Sequence, residues 1–290
     1  MIPAPFDYHA PGTLAEAVAL LAQHAGSAKV LSGGQSLLPL LKLRLGAAEH
    51  LVDIGRIPGL DHLHEKDGYL VIGAGVRESA LEESEAVAMR YPILLDTARV
   101  IADPLVRNRA TVCGNIAHGD PGNDHPATMI ALGAKVVTLG PRGERVLPIE
   151  GFFRGLFTTA LEPDEILTEL RIPTPPARSG GAYFKLERKV GDYATAAAAV
   201  QITLGDGGKV SRAGIALTNV GPTPVHCTAA QQHLTGQAPT DAVIAETAKL
   251  AAGAASPNPD RRGSAQYKKE VARVLTERAL RQAIARAGGR

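Results

Sequence analysis

Apolar residues in the N-terminal part of the chain follow helical spacing first and strand spacing afterwards. Leu14, Val18 and Leu21 share one helix face, and Thr13 with Glu16 forms the pattern of a capping box at its start. We expect this helix to end at Gly26, since glycine favours helix termination. Short apolar stretches then predict strands over residues 29–31, 50–54 and 69–74.

Helix and strand patterns also alternate in the middle of the chain. Residues 78–101 predict two helical pieces separated at Pro92, because proline lacks the N–H that a helix interior needs. A further helix is expected up to Gly133, and strands are expected over residues 135–139 and 165–172.

Residues 173–181, which are rich in proline, serine and glycine, indicate a linker. Beyond it, residues 182–188, 194–204 and 210–219 predict three antiparallel strands, although ATAAAAV has helical propensity, and helices follow from Thr228. Strands followed by helices are typical of an α+β domain. We therefore divide the chain into an N-terminal subdomain (1–55), a second subdomain (56–177) and a C-terminal domain (178–290).

Two segments rich in glycine and small polar residues interrupt these elements. They are SGGQS at 32–36 and TVCGNIAHGDPGND at 111–124. Glycine lets the backbone approach a ligand closely, and a loop that leads into a helix start offers unpaired N–H groups and the positive end of a helix dipole. These features suit phosphate, so we expect the two segments to hold one ligand between them.

Composition excludes several classes of protein. The chain has 290 residues, 45% of them hydrophobic, which is enough for two or three domains with a sizeable core. The 31 basic and 29 acidic residues nearly cancel, so nothing favours nucleic-acid binding. The basic C-terminal stretch is interleaved with Glu270 and Glu277, as in a solvated helix face.

Cysteine content and hydropathy narrow the choice further. Cys113 and Cys227 are too few for a disulfide framework or for an iron–sulfur cluster, which takes about four thiolates. Any such cluster must therefore lie on another chain. No apolar run approaches the ~18 residues of a membrane span, and no leader is evident, so we expect a reduced, cytoplasmic protein.

Other kinds of site were weighed. VIGAGVRE carries Gly73 and Gly75 but has Glu78 in place of a third glycine, which favours a closely packed strand end over a dinucleotide site. His118, Asp120, Asp124 and His125 offer ligand atoms for a metal, but a turn formed by Asp120 is the better interpretation. The chain has no GxSxG nucleophile elbow and no Walker A lysine.

Several motifs in one order resemble the FAD-binding medium subunits of molybdenum hydroxylases, the xanthine dehydrogenase family. They are IPAPFDYHAP, GNIAHGDPGNDHPA, KLERKVGDYATAAAAV and LTNVGPTP, and the likeness covers nearly the whole chain. The resemblance implies a two-subdomain α/β unit of the vanillyl-alcohol-oxidase (PCMH) type, followed by a C-terminal domain with a three-stranded antiparallel sheet and helices. FAD would lie between these parts.

The same resemblance implies a set of FAD-binding residues. The two glycine segments would bracket the pyrophosphate, and Asp124 would accept a hydrogen bond from a ribose hydroxyl or the adenine amine. Ile101 and Leu167 would pack against the flavin. Lys185 would place its charge near the flavin ring, and Tyr193 would close the other side of the flavin. The full set is Leu31, Ser32, Gly33, Gly34, Gln35, Ser36, Leu37, Ile101, Thr111, Gly114, Asn115, Asp124, Leu167, Lys185 and Tyr193.

The resemblance also implies partners. A large subunit would carry a molybdopterin cytosine dinucleotide-type molybdenum cofactor, and a small subunit would carry two 2Fe-2S clusters, in a dimer of heterotrimers. Electrons would pass to FAD and then to a quinone or another acceptor, with attachment at the inner membrane face only through the complex. We expect carbon monoxide as substrate; purines, aldehydes and N-heteroaromatics are the alternatives. No residue of this chain is expected to act as a substrate base.

Two positions depart from the family pattern. Ser32 replaces a common alanine, and Cys113 replaces a common glycine. If the second position needs a positive φ, cysteine adds strain of about 1 kcal/mol or more, and its thiol would lie near the flavin. Cys113 leaves a scaffold that has lost FAD as an alternative, and a stand-alone oxidase with the same flavin domain is another.

Overall fold

The computed structural model describes residues 2–289, which form four β-sheets and eleven α-helices. The strands are β1 Asp7–His9, β2 Ala28–Leu31, β3 His50–Asp53, β4 Leu63–Lys66, β5 Tyr69–Gly73, β6 Lys135–Gly140, β7 Gly143–Pro148, β8 Phe153–Gly155, β9 Thr158–Thr159, β10 Ile166–Pro173, β11 Ser179–Leu186, β12 Ala196–Leu204, β13 Val210–Thr218 and β14 Val225–His226. The helices are α1 Leu14–Gln23, α2 Leu37–Leu43, α3 Glu78–Glu83, α4 Glu85–Arg90, α5 Pro92–Arg99, α6 Pro104–Arg107, α7 Val112–His118, α8 Asp124–Leu132, α9 Thr228–Leu234, α10 Asp241–Ala254 and α11 Ala265–Ala287.

The first sheet is parallel and has the strand order β1-β3-β2. Helix α1 packs on it and is capped as predicted: Thr13 Oγ1 accepts from the Glu16 N–H at 3.2 Å. The Glu16 carboxylate accepts from the Gly12 N–H at 2.8 Å, one residue before the position that a capping box predicts. The helix ends at Gln23, three residues before Gly26.

The second sheet has the order β4-β5-β10-β6-β7, with antiparallel pairing throughout. Central strands β5, β6 and β10 match the predicted ones within two residues. Edge strands β4 and β7 escaped prediction because their sequences, LHEK and GERVLP, lack a buried apolar face. The sequence predicted a closely packed strand end at Gly73. This is confirmed, since a Cβ on Gly73 would lie 2.3 Å from the Leu60 carbonyl oxygen.

The helical region before the second glycine segment differs from the expected two pieces. It forms three helices, α3, α4 and α5. The additional break is at Ser84, whose side chain accepts from the Val87 N–H at 3.3 Å and caps α4. Pro92 is at the first position of α5, where a missing N–H has no cost.

The third sheet has four strands, not three, in the antiparallel order β11-β12-β13-β14. The two-residue strand β14 is the addition, and Ser179 to Gly181 belong to β11 rather than to a linker. Helices cover both faces closely: a Cβ on Gly180 would lie 2.2 Å from the Ala283 oxygen of α11, and one on Gly214 would lie 1.9 Å from the Ala131 oxygen of α8.

This double coverage explains the alanines of β12. Ala197 and Ala199 face the core shared with the two N-terminal sheets, whereas Ala196 and Ala198 face the core formed with α9, α10 and α11. The strand prediction for ATAAAAV is confirmed, because small side chains are needed where helices pack on both faces. Among residues 2–289, no helix is both long and apolar enough to cross a bilayer.

Candidate cofactor site

The two glycine segments lie side by side. Thr111 Oγ1 donates to Ser32 Oγ at 3.2 Å, and Ser32 Oγ donates in turn to the Ala74 carbonyl at 3.3 Å. The backbone at Gly33 packs so closely on residues 109–111 that a Cβ there would lie 2.3 Å from the Arg109 oxygen. The two segments therefore form one surface, as holding one ligand between them would require.

The first segment is a true loop between β2 and α2. Gly34 has φ 76°, a left-handed conformation that side chains disfavour. Within residues 2–289, the backbone N–H groups of residues 33–36 donate no hydrogen bond. Four unpaired donors in succession, at the start of a helix, form a surface suited to an anion.

The second segment is not the extended loop that its glycines suggested. Residues Val112–His118 form α7, with Thr111 as its N-cap; Thr111 Oγ1 accepts from the Gly114 N–H at 3.3 Å. A Cβ on Gly114 would lie 2.6 Å from that same oxygen, so glycine permits the cap. The loop begins only after α7, at Gly119 with φ 68°.

Cys113 therefore has a helical backbone and no positive φ, and the expected strain is absent. Its side chain is buried, with Sγ 3.5 Å from the carbonyl oxygens of Ile72 and Gly73 in β5. Burial raises the pKa of the Cys113 thiol above its ordinary range. The thiol faces the second sheet and has neither the exposure nor the acidity of a reactive cysteine.

The end of the second segment forms the predicted turn. Asp120 Oδ1 accepts from the Gly122 N–H at 2.8 Å, as in an Asx turn. Asn123 Nδ2 donates to the Asn115 carbonyl at 2.9 Å and ties the turn to α7. Asn115 Oδ1 is buried and has no hydrogen-bond partner within residues 2–289. Such an acceptor indicates a missing donor, which a bound molecule would supply.

The two histidines of this segment have separate surroundings. His125 lies in the core, where its Nε2 is 2.7 Å from Glu78 Oε2 and both side chains are fully buried. His118 instead stacks near Phe157, with ring centroids 4.9 Å apart, and burial lowers the pKa of its imidazole. The two histidines therefore do not converge on one ion.

Asp124 and Lys185 form a buried ion pair at the start of α8. Lys185 Nζ donates to Asp124 Oδ2 and to the Val100 carbonyl, both at 2.9 Å. Tyr183 Oη donates to Asp124 Oδ1 at 2.6 Å. Burial raises the pKa of Asp124, against the opposing effect of Lys185, and burial together with Asp124 raises the pKa of Tyr183 well above its ordinary value.

The remaining predicted residues lie on several elements. Ile101 follows Val100, whose carbonyl accepts from Lys185, and is 8% exposed. Leu167 is buried in β10, at the bulge where the strand pairs irregularly with β6. Tyr193 is half exposed, and its ring lies against Gly122, where a Cβ would be 3.1 Å away. Leu31 ends β2, and Leu37 begins α2.

Two residues of this cluster were missed from the sequence. Tyr183 binds Asp124, and Glu187 Oε2 lies 3.2 Å from Lys185 Nζ without accepting any other hydrogen bond. The signal that could have found them is period two, because Tyr183, Lys185 and Glu187 alternate along one face of an extended segment.

Comparison with known proteins agrees with this geometry. Residues 4–175 match the profile for the FAD binding domain in molybdopterin dehydrogenase, and residues 181–283 match the CO dehydrogenase flavoprotein C-terminal domain. The chain is 47% identical to the carbon monoxide dehydrogenase medium chain of Hydrogenophaga pseudoflava, over 99% of both chains. It is 37% identical to the 6-hydroxypseudooxynicotine dehydrogenase complex subunit alpha of Paenarthrobacter nicotinovorans, over 99% of this chain and 97% of that one.

A solved structure extends the likeness to three dimensions. A carbon monoxide dehydrogenase from Hydrogenophaga pseudoflava, which lacks the Mo-pyranopterin moiety of the molybdenum cofactor, contains a chain that superposes with a TM-score of 0.96 at 49% identity, covering 99% of both chains. The expected family resemblance and the FAD-binding α+β fold are thereby confirmed. This chain belongs to the family of FAD-binding subunits of molybdopterin dehydrogenases.

Proposed function

We propose that this chain is the FAD-carrying electron-transfer subunit of a molybdenum hydroxylase complex that oxidises carbon monoxide with water to carbon dioxide. The substrate assignment rests on identity: 47% to a carbon monoxide dehydrogenase medium chain, against 37% to a subunit of a complex named for 6-hydroxypseudooxynicotine. Substrate would bind on another subunit, so the sequence of this chain indicates the substrate only indirectly.

The observation that carries the FAD role is the row of unpaired N–H groups at residues 33–36, next to Thr111. Backbone donors in a glycine loop are suited to a pyrophosphate, because no Cβ holds the phosphate oxygens away. The unpartnered Asn115 Oδ1 adds an acceptor for a ligand hydroxyl or amine. The residues present therefore fit FAD. When bound, FAD supplies redox chemistry that accepts and passes on electrons.

Each remaining residue has a binding or positioning role in this proposal. Asp124 would hold a ribose hydroxyl or the adenine amine; each carboxylate oxygen has two lone pairs, so the bonds from Tyr183 and Lys185 leave acceptor capacity. Lys185 would hold its charge near the ring. Ile101 and Leu167 would present apolar walls that exclude water, and Tyr193 would cover the opposite side.

The cysteines favour partner subunits as the route for electrons. Cys113 and Cys227 are both buried, and burial raises the pKa of Cys227 to about 12, so neither is available as a cluster thiolate. We therefore place two 2Fe-2S clusters on a small subunit and the molybdopterin cytosine dinucleotide-type cofactor on a large one. A dimer of heterotrimers and a quinone acceptor, reached at the inner membrane face, complete the proposal.

Purification of the native complex tests it. An affinity tag on this chain is used to isolate the assembly, and flavin, iron and molybdenum are measured on the same sample together with carbon monoxide-dependent dye reduction. We expect two co-purifying chains, the presence of flavin, iron and molybdenum, and activity with carbon monoxide.

Three outcomes would contradict different parts of the proposal. Full molybdenum and flavin occupancy without activity on carbon monoxide would reject the substrate, and purines, aldehydes and N-heteroaromatics would be assayed next. Flavin on a single, active chain would reject the electron-transfer subunit and favour a stand-alone oxidase. Partner chains and metals without flavin would favour the scaffold alternative.

A further inference from the structure

Three histidines from separate elements meet on the first sheet. His9 ends β1, His24 follows α1 as its C-cap, and His50 begins β3. One ring nitrogen from each lies within 4.8 Å of the other two, and all three residues are half-buried. In residues 2–289 this is the only group of three or more histidine, cysteine or carboxylate side chains with such convergence.

One pair of these nitrogens has the spacing of two ligands to one ion. His9 Nε2 lies 3.2 Å from His50 Nδ1. Two nitrogens bound to tetrahedral zinc at ~2.0–2.1 Å are about 3.3 Å apart. The His24 ring stacks on His50 with centroids 3.7 Å apart, and Asp7 Oδ2 lies 3.6 Å from His50 Nδ1 at the solvent edge. The cluster therefore holds three imidazoles and a reachable carboxylate.

Charge considerations agree with an ion. Three imidazoles this close repel one another when protonated, and the neutral imidazole is the form that binds metal. A cation would also bring together β1, the end of α1 and β3, of which Asp7 and His50 already join β1 to β3.

We propose that His9, His24 and His50 bind one divalent transition-metal ion of the zinc class, with Asp7 or water as the fourth ligand. Imidazole is a preferred ligand of zinc, copper and nickel ions. His50 pairs with Ala28 at the start of β2, whereas the Ser32 loop follows the end of that strand. The ion is thus apart from the cofactor loops, and its role is to fasten the N-terminal subdomain.

Metal binding to the full-length chain tests the site. The chain is purified without a histidine tag and stripped with chelator, and Zn²⁺ is measured by equilibrium dialysis. Co²⁺ serves as a spectroscopic probe, because its visible absorption reports tetrahedral nitrogen ligation. We expect one ion per chain, a tetrahedral Co²⁺ spectrum and an increase in Tm with Zn²⁺, since the ion binds only the folded site.

Variants locate the ligands. His9→Asn, His24→Asn and His50→Asn should each weaken Zn²⁺ binding by at least ~100-fold, more than the ~10–100-fold that loss of an outer partner produces. His64→Asn is the matched control, since His64 is exposed and lies beside His62 outside the cluster. Circular dichroism of the metal-free variants checks that they fold.

The wild-type chain alone can overturn the proposal. Absence of stoichiometric Zn²⁺ binding would show that the histidines only stack and hydrogen-bond. Binding that falls equally in His64→Asn would show an adventitious surface ion. The first result is independent of whether any cluster variant folds.

Discussion

The two glycine segments of the cofactor site look alike in sequence but differ in structure. Residues 32–36 form an open loop in which four successive N–H groups have no partner among residues 2–289, and Gly34 has a left-handed backbone. Gly114 instead lies in the first turn of α7, and its N–H is capped by Thr111. One segment presents backbone donors, while the other presents side chains from a helix start.

This difference shows that glycine is required for two separate reasons. At Gly33 a Cβ would meet backbone atoms, the Arg109 oxygen at 2.3 Å and Ala110 Cα at 2.8 Å, which cannot rotate away. At Gly114 a Cβ would meet only the Thr111 hydroxyl at 2.6 Å, which is part of a side chain. Substitutions should therefore be more damaging in the first segment than in the second.

The largest effect is expected for Gly33→Ala. The added methyl group forces the two segments apart, so we expect a loss of about 3 kcal/mol of unfolding free energy, at the upper end for overpacking, together with loss of flavin from the purified complex. Chemical denaturation and the ratio of flavin to protein absorbance measure the two effects. Gly253→Ala is the control, because a Cβ there meets nothing within 4 Å. Retention of flavin by Gly33→Ala would refute the close packing of the segments.

Gly114→Val is expected to abolish FAD retention with a smaller loss of stability. Its branched side chain displaces the Thr111 hydroxyl and projects two further methyl groups from the first turn of α7. Helix α7 has other packing contacts through Val112 and Ile116, so the fold should survive. Flavin stoichiometry of the purified complex measures the effect; an unchanged value would reject the placement of the pyrophosphate.

A double-mutant cycle separates the cap from the glycine. Thr111→Ala should cost about 1 kcal/mol, the usual value for a lost N-cap. Gly114→Ala should destabilise the wild-type chain but stabilise the Thr111→Ala chain, by up to ~1 kcal/mol, because alanine favours a helix once the hydroxyl is gone. Denaturation of all four proteins gives the coupling energy, and additive effects would mean that Thr111 Oγ1 is not the obstacle.

The sequence predicted elements with strong local signals. The α1 cap, the core strands β5 and β10, and the pairing of the two glycine segments all followed from residue types that act over a few positions or recur as motifs. The helical state of Val112–His118 was missed because its glycine and asparagine have low helix propensity. Tertiary packing of Val112 and Ile116 on the core overrides that preference.

The site residues also divide into those that the sequence reveals and those that it does not. Glycine positions are visible in the sequence because backbone geometry restricts them to one residue type. Tyr183 and Glu187 show in the sequence only as parts of an alternating segment with Lys185, since their importance comes from contacts with Asp124, which begins α8, and with Lys185 itself. The three-part domain division and the FAD contacts of individual residues stay predictions.

Asn115→Leu tests the second segment as a source of side-chain contacts. Leucine is of similar size and removes the unpartnered Oδ1, while the main-chain bond from Asn123 remains. We expect unchanged or raised stability without FAD, but about tenfold weaker FAD binding, equivalent to ~1.4 kcal/mol. Isothermal titration of the flavin-free protein measures it, with the exposed Asn108→Leu as control. Equal affinity in both variants would show that Oδ1 does not contact the cofactor.

Cys113→Ala should have the smallest effect on FAD, and it distinguishes a helical second segment from an open loop. In a helix facing β5, the thiol fills core volume, so its removal should cost about 1 kcal/mol, as for other small core deletions, and leave flavin content unchanged. In a loop facing the flavin, the same change would alter flavin content or remove a covalent bond. Denaturing mass spectrometry of the wild-type chain, alongside flavin content of the variant, decides between them. Because Sγ faces the second sheet and the raised thiol pKa disfavours a thiolate, we expect the mass of the unmodified chain.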